Sequence, residues 1–299
     1  MKLSKILREM GISFHCHNEV PFSSLGLTQY NNGDDVCTFL EKVEYINQIS
    51  ENVTMVITSE EVAASLKDFG KGVCIVENPR LVFFELHNYL SQHEYYTGSK
   101  WITEYGENCQ ISPHSVISEF NVRIGNNVII EPFCVINSNT VIGDNCIIRT
   151  GSKIGTEGFE FKRKSERVFG VTHVGSVYIG DNVEIQSNTC IDKAIYPWDS
   201  TDIGEYTKID NLVHISHGVK IGNQCMIVAN SGIGGRTKIG NRCWVGLGSI
   251  IRNGIEIGDD ARVNMGAVVS RSTEKGTSVT GNFAIDHTKF IENLKKNVL

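Results

Sequence analysis

In the stretch KIDNLVHISHGVKIG a carboxylate and an imidazole, Asp210 and His217, stand seven residues apart. A carboxylate that holds an imidazole fixes its tautomer and raises its basicity, which suits a general base taking the proton of an attacking amine. Eighteen residues beyond His217 lies Gly235, in GIGGRTKIG. With no side chain there, a ligand can approach the backbone, and the N–H can donate to the oxyanion of a tetrahedral intermediate. Proton removal beside an oxyanion donor is the chemistry of acyl transfer. The competing reading is a solvated or capping side chain; it is the one given to His214 and His173, and it stays open for His217. The closest His/Cys cluster in sequence, His15, Cys16 and His17, would point both imidazoles one way on a strand. It is not read as a metal site, and no metal is expected. Nine cysteines without a C-x-x-C pair are read as free thiols.

For His217 and Gly235 to meet, positions 18 apart must be neighbours, and a six-residue period supplies that geometry. Stepping by six from Ile179 to Val269 meets sixteen slots, of which fifteen hold Ile or Val and one holds Pro197. Upstream the ladder runs through Ile124, Ile130, Ile136, Ile142, Ile148 and Ile154, with Ile111 and Ile117 one step out of register. Such a period is too short for helical repeats and suits short strands joined by tight turns, three to a coil: a left-handed parallel β-helix. Gly commonly follows the inward aliphatic residue, as in Ile203-Gly204 and Ile221-Gly222. Cys134, Cys146, Cys225 and Cys243 each follow an in-phase isoleucine by four residues, where a small inward side chain is wanted. The spacing places Asp210 and His217 around one corner of a coil.

The ladder breaks over residues 155–178, whose charges and glycines predict an extruded loop. Residues 1–100 lack the period. There TMVIT and GVCIV predict strands, while Ser59 before Glu60 and Glu61, and Pro79, predict helix openings, together a small N-terminal α/β domain. The prism spans 101–272. In the tail, 273–299, Ile285, Phe290, Ile291 and Leu294 predict one face of a short closing C-terminal helix. A net charge of −6 argues against nucleic acid as a partner. No apolar run is long enough to span a membrane, and charges interrupt the amino terminus where a signal peptide would be apolar, so a cytoplasmic protein is expected.

The segments IGTEGFEF, HVGSVYIGDNVEIQSNTCIDK, TDIGEYTKIDNLVHISHGVKIG and GIGGRTKIG resemble the UDP-3-O-(3-hydroxyacyl)glucosamine N-acyltransferases of lipid A biosynthesis. The likeness extends to CTFLEKVEY and IVENPRLVFFEL in the first domain and GNFAIDHTKF in the tail. It implies a homotrimer of left-handed β-helices, an amino-terminal uridine-binding domain, and active sites between subunits. It further implies His217 as general base, Asp210 as its orienting carboxylate and Gly235 as oxyanion donor. Phe39 and Tyr45 would be the aromatic pair clasping the base, against the alternative of a plain core role, and Phe159 and Phe161 would belong to the loop beside the nucleotide. Three departures stand out: Lys42 between the two aromatics, where the family has a uracil-contacting Asn; Gly254 in NGIEIGD, where it has a second histidine; and an end soon after Leu294, before the family's longer carrier-docking helix. They direct the expectation toward N-acylation of another nucleotide-linked amino sugar, uridine- or thymidine-linked, for cell-surface glycan. The donor would be a thioester of coenzyme A or acyl carrier protein, with no other cofactor. The alternatives are the lipid A enzyme itself, using 3-hydroxyacyl carrier protein and UDP-3-O-acylglucosamine, and a non-catalytic trimeric nucleotide-binding scaffold.

Overall fold

The computed structural model describes residues 1–33, 35–66, 70–281 and 284–298, without the side chains of 294, 297 and 298. Parallel strands of two to four residues form three sheets, the walls of a left-handed β-helix. The first face runs from Gln110–Ile111 to Ser278–Val279, the second from Val116–Ile117 to Val268–Val269, and the third from Glu104–Tyr105 to Glu256–Ile257. Each inward aliphatic pairs with its counterpart one coil away: Ile209 with Ile227, Ile215 with Ile233, Ile221 with Ile239. Together these side chains form one dry core, which includes Cys134, Cys146, Cys225 and Cys243, and the chain's nine cysteines are all free thiols. Many corners place a non-glycine residue at positive φ, among them Asn127, Asn145 and Arg236. Asparagine tolerates that conformation best, and Asn127 donates to Asn145 one coil along.

Two departures from the eighteen-residue coil decide where the site sits. The first is expected: the chain leaves the wall after Lys153–Thr156, makes a hairpin of Phe161–Lys164 with Arg167–Gly170, and returns at Ser176–Ile179. The second contradicts the reading of Pro197 as a wall position. Ile185 pairs with Ile209 and Ile179 with Ile203, both 24 residues apart, so six residues between Asp192 and Ser200 are extruded. Because the insertion is one repeat long it leaves the phase unchanged, and periodicity alone cannot detect it. Both insertions leave from the corner between the second and third faces.

The first domain is a five-stranded sheet whose central strands, Val36–Leu40, Val53–Thr58 and Gly72–Ile75, run parallel. The helix Pro79–Leu90 covers it, with proline in its first turn and the Asn78 side chain accepting from Leu81 N–H. This domain grips both insertions. His87 Nε2 lies 2.8 Å from Thr172 O, Asn88 Nδ2 donates to Gly170 O, Trp198 Nε1 donates to Leu25 O, and Tyr30 Oη donates to Asp199 Oδ2 at 2.6 Å. Val171, Ile195 and Tyr196 thereby enter the first domain's core. The tail forms the helix His287–Val298, but Ile285 and Phe290 are exposed, so the expected packing onto the prism is not made by these residues. Leu294, named for the same face, and residues 282–283 of GNFAIDHTKF lie outside the described side chains and residues. No helix among the described residues is long and apolar enough to cross a membrane.

Candidate active site

His217 follows inward Ile215 by two residues, at the corner where both insertions emerge, and its side chain is 13% exposed. The coil above sets Gly235 against it: Arg236 N–H donates to His217 O, and a Cβ on Gly235 would lie 2.7 Å from His217 Nε2. Glycine is therefore a steric requirement at 235. Its N–H has no protein acceptor among the described hydrogen bonds, and so can donate to a ligand. Glu160 Oε2, from the first insertion, stands 3.9 Å from His217 Nε2. Burial, reinforced by the neighbouring His173 and Arg236, pushes the His217 pKa down to about 4. At neutral pH the ring is uncharged and has a free lone pair. Burial raises Glu160, but Lys162, His217 and Arg236 outweigh it and hold this carboxyl below its usual range, so it stays an anion.

Asp210 is not part of this cluster. It sits at the preceding corner, between the first and second faces, with the strand His214–Ile215 separating it from His217. Its oxygens accept from Asn211 N–H, Asn211 Nδ2 and Ala229 N–H, which makes it a turn cap. The step of seven residues carries the chain across a whole face, and two corners of a triangular coil do not touch. His173 departs from expectation in the opposite direction: read as solvated or capping, it is 1% exposed, and its ring centroid lies 5.3 Å from that of His217. It belongs to the first insertion, whose path no periodicity describes.

His214 is exposed, with Nε2 2.9 Å from Ser216 Oγ and 3.5 Å from Asp192 Oδ2. Strand pairing across the hidden insertion gathers Cys190, Asp192 and His214, each with one ligand atom within 4.8 Å of the others, a cluster sequence distance concealed. Thr156 Oγ1 lies between two of these donors, 2.7 Å from Asp192 Oδ1 and 3.2 Å from Cys190 Sγ. His15 and His17 do project together, with ring centroids 4.3 Å apart.

The aromatic residues named for nucleotide contact do not form one cluster of ring contacts among the described residues. Phe39 packs on Phe83 and Phe84, with centroids at 5.0 and 6.0 Å. Tyr45 is exposed on the short 3-10 helix Val43–Gln48 and makes no ring contact among the described residues. Phe159 and Phe161 do form a pair, 4.8 Å apart, and Phe159, just before the hairpin, is 88% exposed.

Residues 121–156 and 200–235 match the family described as bacterial transferase hexapeptide (six repeats), and 236–271 match the hexapeptide repeat of succinyl-transferase. A UDP-3-O-acylglucosamine N-acyltransferase of Anaeromyxobacter dehalogenans is 36% identical over 89 residues, 30% of this chain and 22% of that one. One of Helicobacter pylori is 27% identical over 218 residues, 66% of this chain and 64% of the other. This chain thus carries hexapeptide repeats over the three matched stretches. Its match spans less than two thirds of the length of either relative. Among solved structures, an Arabidopsis UDP-N-acetylglucosamine acyltransferase aligns with a TM-score of 0.48 at 23% identity, over 65% of this chain and 73% of that one. Along the prism, this chain's insertions and first domain converge on one corner, the one that holds His217 and Gly235.

Proposed function

We propose that this protein transfers an acyl group from a thioester to the amino group of a UDP-linked glucosamine. The observation that carries the reading is a neutral, largely buried imidazole whose Nε2 faces a glycine with an unengaged N–H. In this reading the amine attacks the thioester carbonyl, His217 Nε2 takes its proton, and Gly235 N–H donates to the oxyanion. The intermediate collapses with departure of the thiolate, to which His217 returns the proton. Coenzyme A or acyl carrier protein supplies the thioester, and no metal takes part. The expectation from Lys42, Gly254 and the chain's end leaned toward a different amino sugar. The names of both relatives favour UDP-3-O-acylglucosamine instead, the acceptor of the lipid A step.

The reading includes a homotrimer. Outward positions on the third face are charged and paired coil to coil, as in Lys220–Asp202 and Lys238–Glu256, both at 2.8 Å. On the second face, Val116, Ile250 and Val268 are exposed. Exposed aliphatic side chains beside a charged face fit burial against copies of the same chain. Phe39, Tyr45, Phe159 and Phe161 remain the proposed nucleotide contacts. The test is thiol release from a panel of acyl-CoA and acyl carrier protein thioesters with UDP- and dTDP-amino sugars. Turnover with UDP-3-O-acylglucosamine, lost about 10²- to 10⁴-fold in His217→Ala, is the expected result. No thiol release above that of His217→Ala with any pair would overturn it.

A further inference from the structure

His173 Nδ1 lies 2.9 Å from Val171 O and 3.2 Å from Glu157 Oε2. A carbonyl and a carboxylate both accept, so Nδ1 must carry the proton, and in the neutral ring Nε2 is then a bare acceptor. That Nε2 is buried and has no hydrogen-bond partner among the described residues. His217 Nδ1 is likewise buried and has none among them. Both nitrogens border the same small space: a Cβ on Gly158 would lie 2.8 Å from His173 Nε2 and 3.0 Å from His217 Nδ1. Burying one unsatisfied ring nitrogen costs free energy, and burying two side by side is economical only if one donates toward the other. With the His173 ring neutral, its Nε2 can only accept, and His217 Nδ1 is then the donor.

We infer that His173, pinned by Glu157 and the Val171 carbonyl, is the positioning residue that fixes His217 as its Nδ1–H tautomer, directly or through one bridging water, leaving Nε2 bare toward Gly235. The inference rests on the proposed role of His217 as the base, and it assigns to His173 the task expected of Asp210. A neighbouring subunit cannot restore that task to Asp210, because the nitrogen to be held is sealed inside the protomer. When Nε2 accepts the amine proton, the charged ring still donates from Nδ1 to His173, whose own Nδ1–H stays on Glu157. No bond is made or broken at His173. The other ionisable groups around the pair are Asp192, Glu160, Lys162, Arg236, Lys193 and His87.

The full-length chain, labelled with 15N-histidine, provides a test that needs no turnover. The His217 signals are assigned by their absence in His217→Ala, and the parent should show His217 protonated at Nδ1 and bare at Nε2. In His173→Leu that tautomer should give way to Nε2–H, and kcat should fall about 10- to 100-fold with KM changed less than about twofold. In His173→Gln the side-chain oxygen can accept from Nδ1–H, so tautomer and kcat should return to within about threefold of the parent. Should His173→Leu fail to fold, Glu157→Ala, which unpins His173 from a mostly exposed position, should give a mixed tautomer. A parent spectrum with His217 protonated at Nε2 overturns the inference, as does a folded His173→Leu with unchanged tautomer and kcat. If the tautomer result holds while no thioester and amine pair turns over, the positioning survives and the proposed function fails.

Discussion

A general base works only if its lone pair is free at the pH of the reaction, and burial secures this for His217. With its pKa pushed down to about 4, turnover should be level from about pH 8 to 5.5 and fall only as the pH nears 4. A limb near 6.5 in the pH–kcat profile would show a ring titrating as it does in water. The same burial affects stability. His217 and His87 both stay neutral to about pH 4 when folded, yet take protons near 6.5 when unfolded. Stability is therefore full above about 6.5 and lost as the pH falls toward 4, by on the order of 3 kcal/mol for each ring. Urea melts at pH 7.5 and 4.5 read this difference directly. Gly235→Ala places a methyl group 2.7 Å from Nε2, so kcat should fall about 100-fold or more while the fold survives. Asp210→Asn, at another corner, should leave kcat within about threefold and cost about 1 kcal/mol of stability through its cap.

The elements were legible from sequence in proportion to their periodicity. Every hexapeptide strand from Ile203 to Val269 is announced by an aliphatic residue in phase, because one inward side chain per face is a strict packing demand. The stacking of Gly235 on His217 follows from the same arithmetic. The insertion between Asp192 and Ser200 escaped because it lengthens the coil by one repeat, and His173 because the path of an insertion is set by what it packs on. Asp210 misled for a local reason: seven residues span a whole face, which puts the two side chains at successive corners. The grip of the first domain on these insertions is the element-level feature most open to test. His87 joins Tyr96 Oη at 3.0 Å and Thr172 O at 2.8 Å within a buried setting. His87→Leu leaves both partners unsatisfied and should cost about 2 to 4 kcal/mol, measured by calorimetric melting at pH 7.5. Because Thr172 adjoins His173, the same change should lower kcat more than a comparably destabilising Ile130→Ala in the first face of an early coil.

At the scale of the whole molecule, the contrast between a charged third face and the exposed aliphatic side chains of the second predicts how the prisms assemble. Light scattering should give three times the 33.2 kDa chain mass. Replacing both Ile250 and Val268 by Glu should shift the protein to monomer with the coil intact, since both side chains point outward. A trimer that survives the double change would place the interface on another wall. Among the described contacts, the first domain fastens the two insertions, through Tyr30 to Asp199, Trp198 to Leu25 and His87 to Thr172, and reaches further along the prism where the Tyr30 ring lies 5.2 Å from the Arg236 guanidinium. From Lys238 onward each coil is held chiefly by the coil below it. Under tension the molecule should behave as a ratchet fixed at one end, unwinding first from the carboxyl side. An optical trap pulling on the two termini should record successive lengthenings of roughly 60 Å, one coil of extended chain at a time, before the clamped half yields.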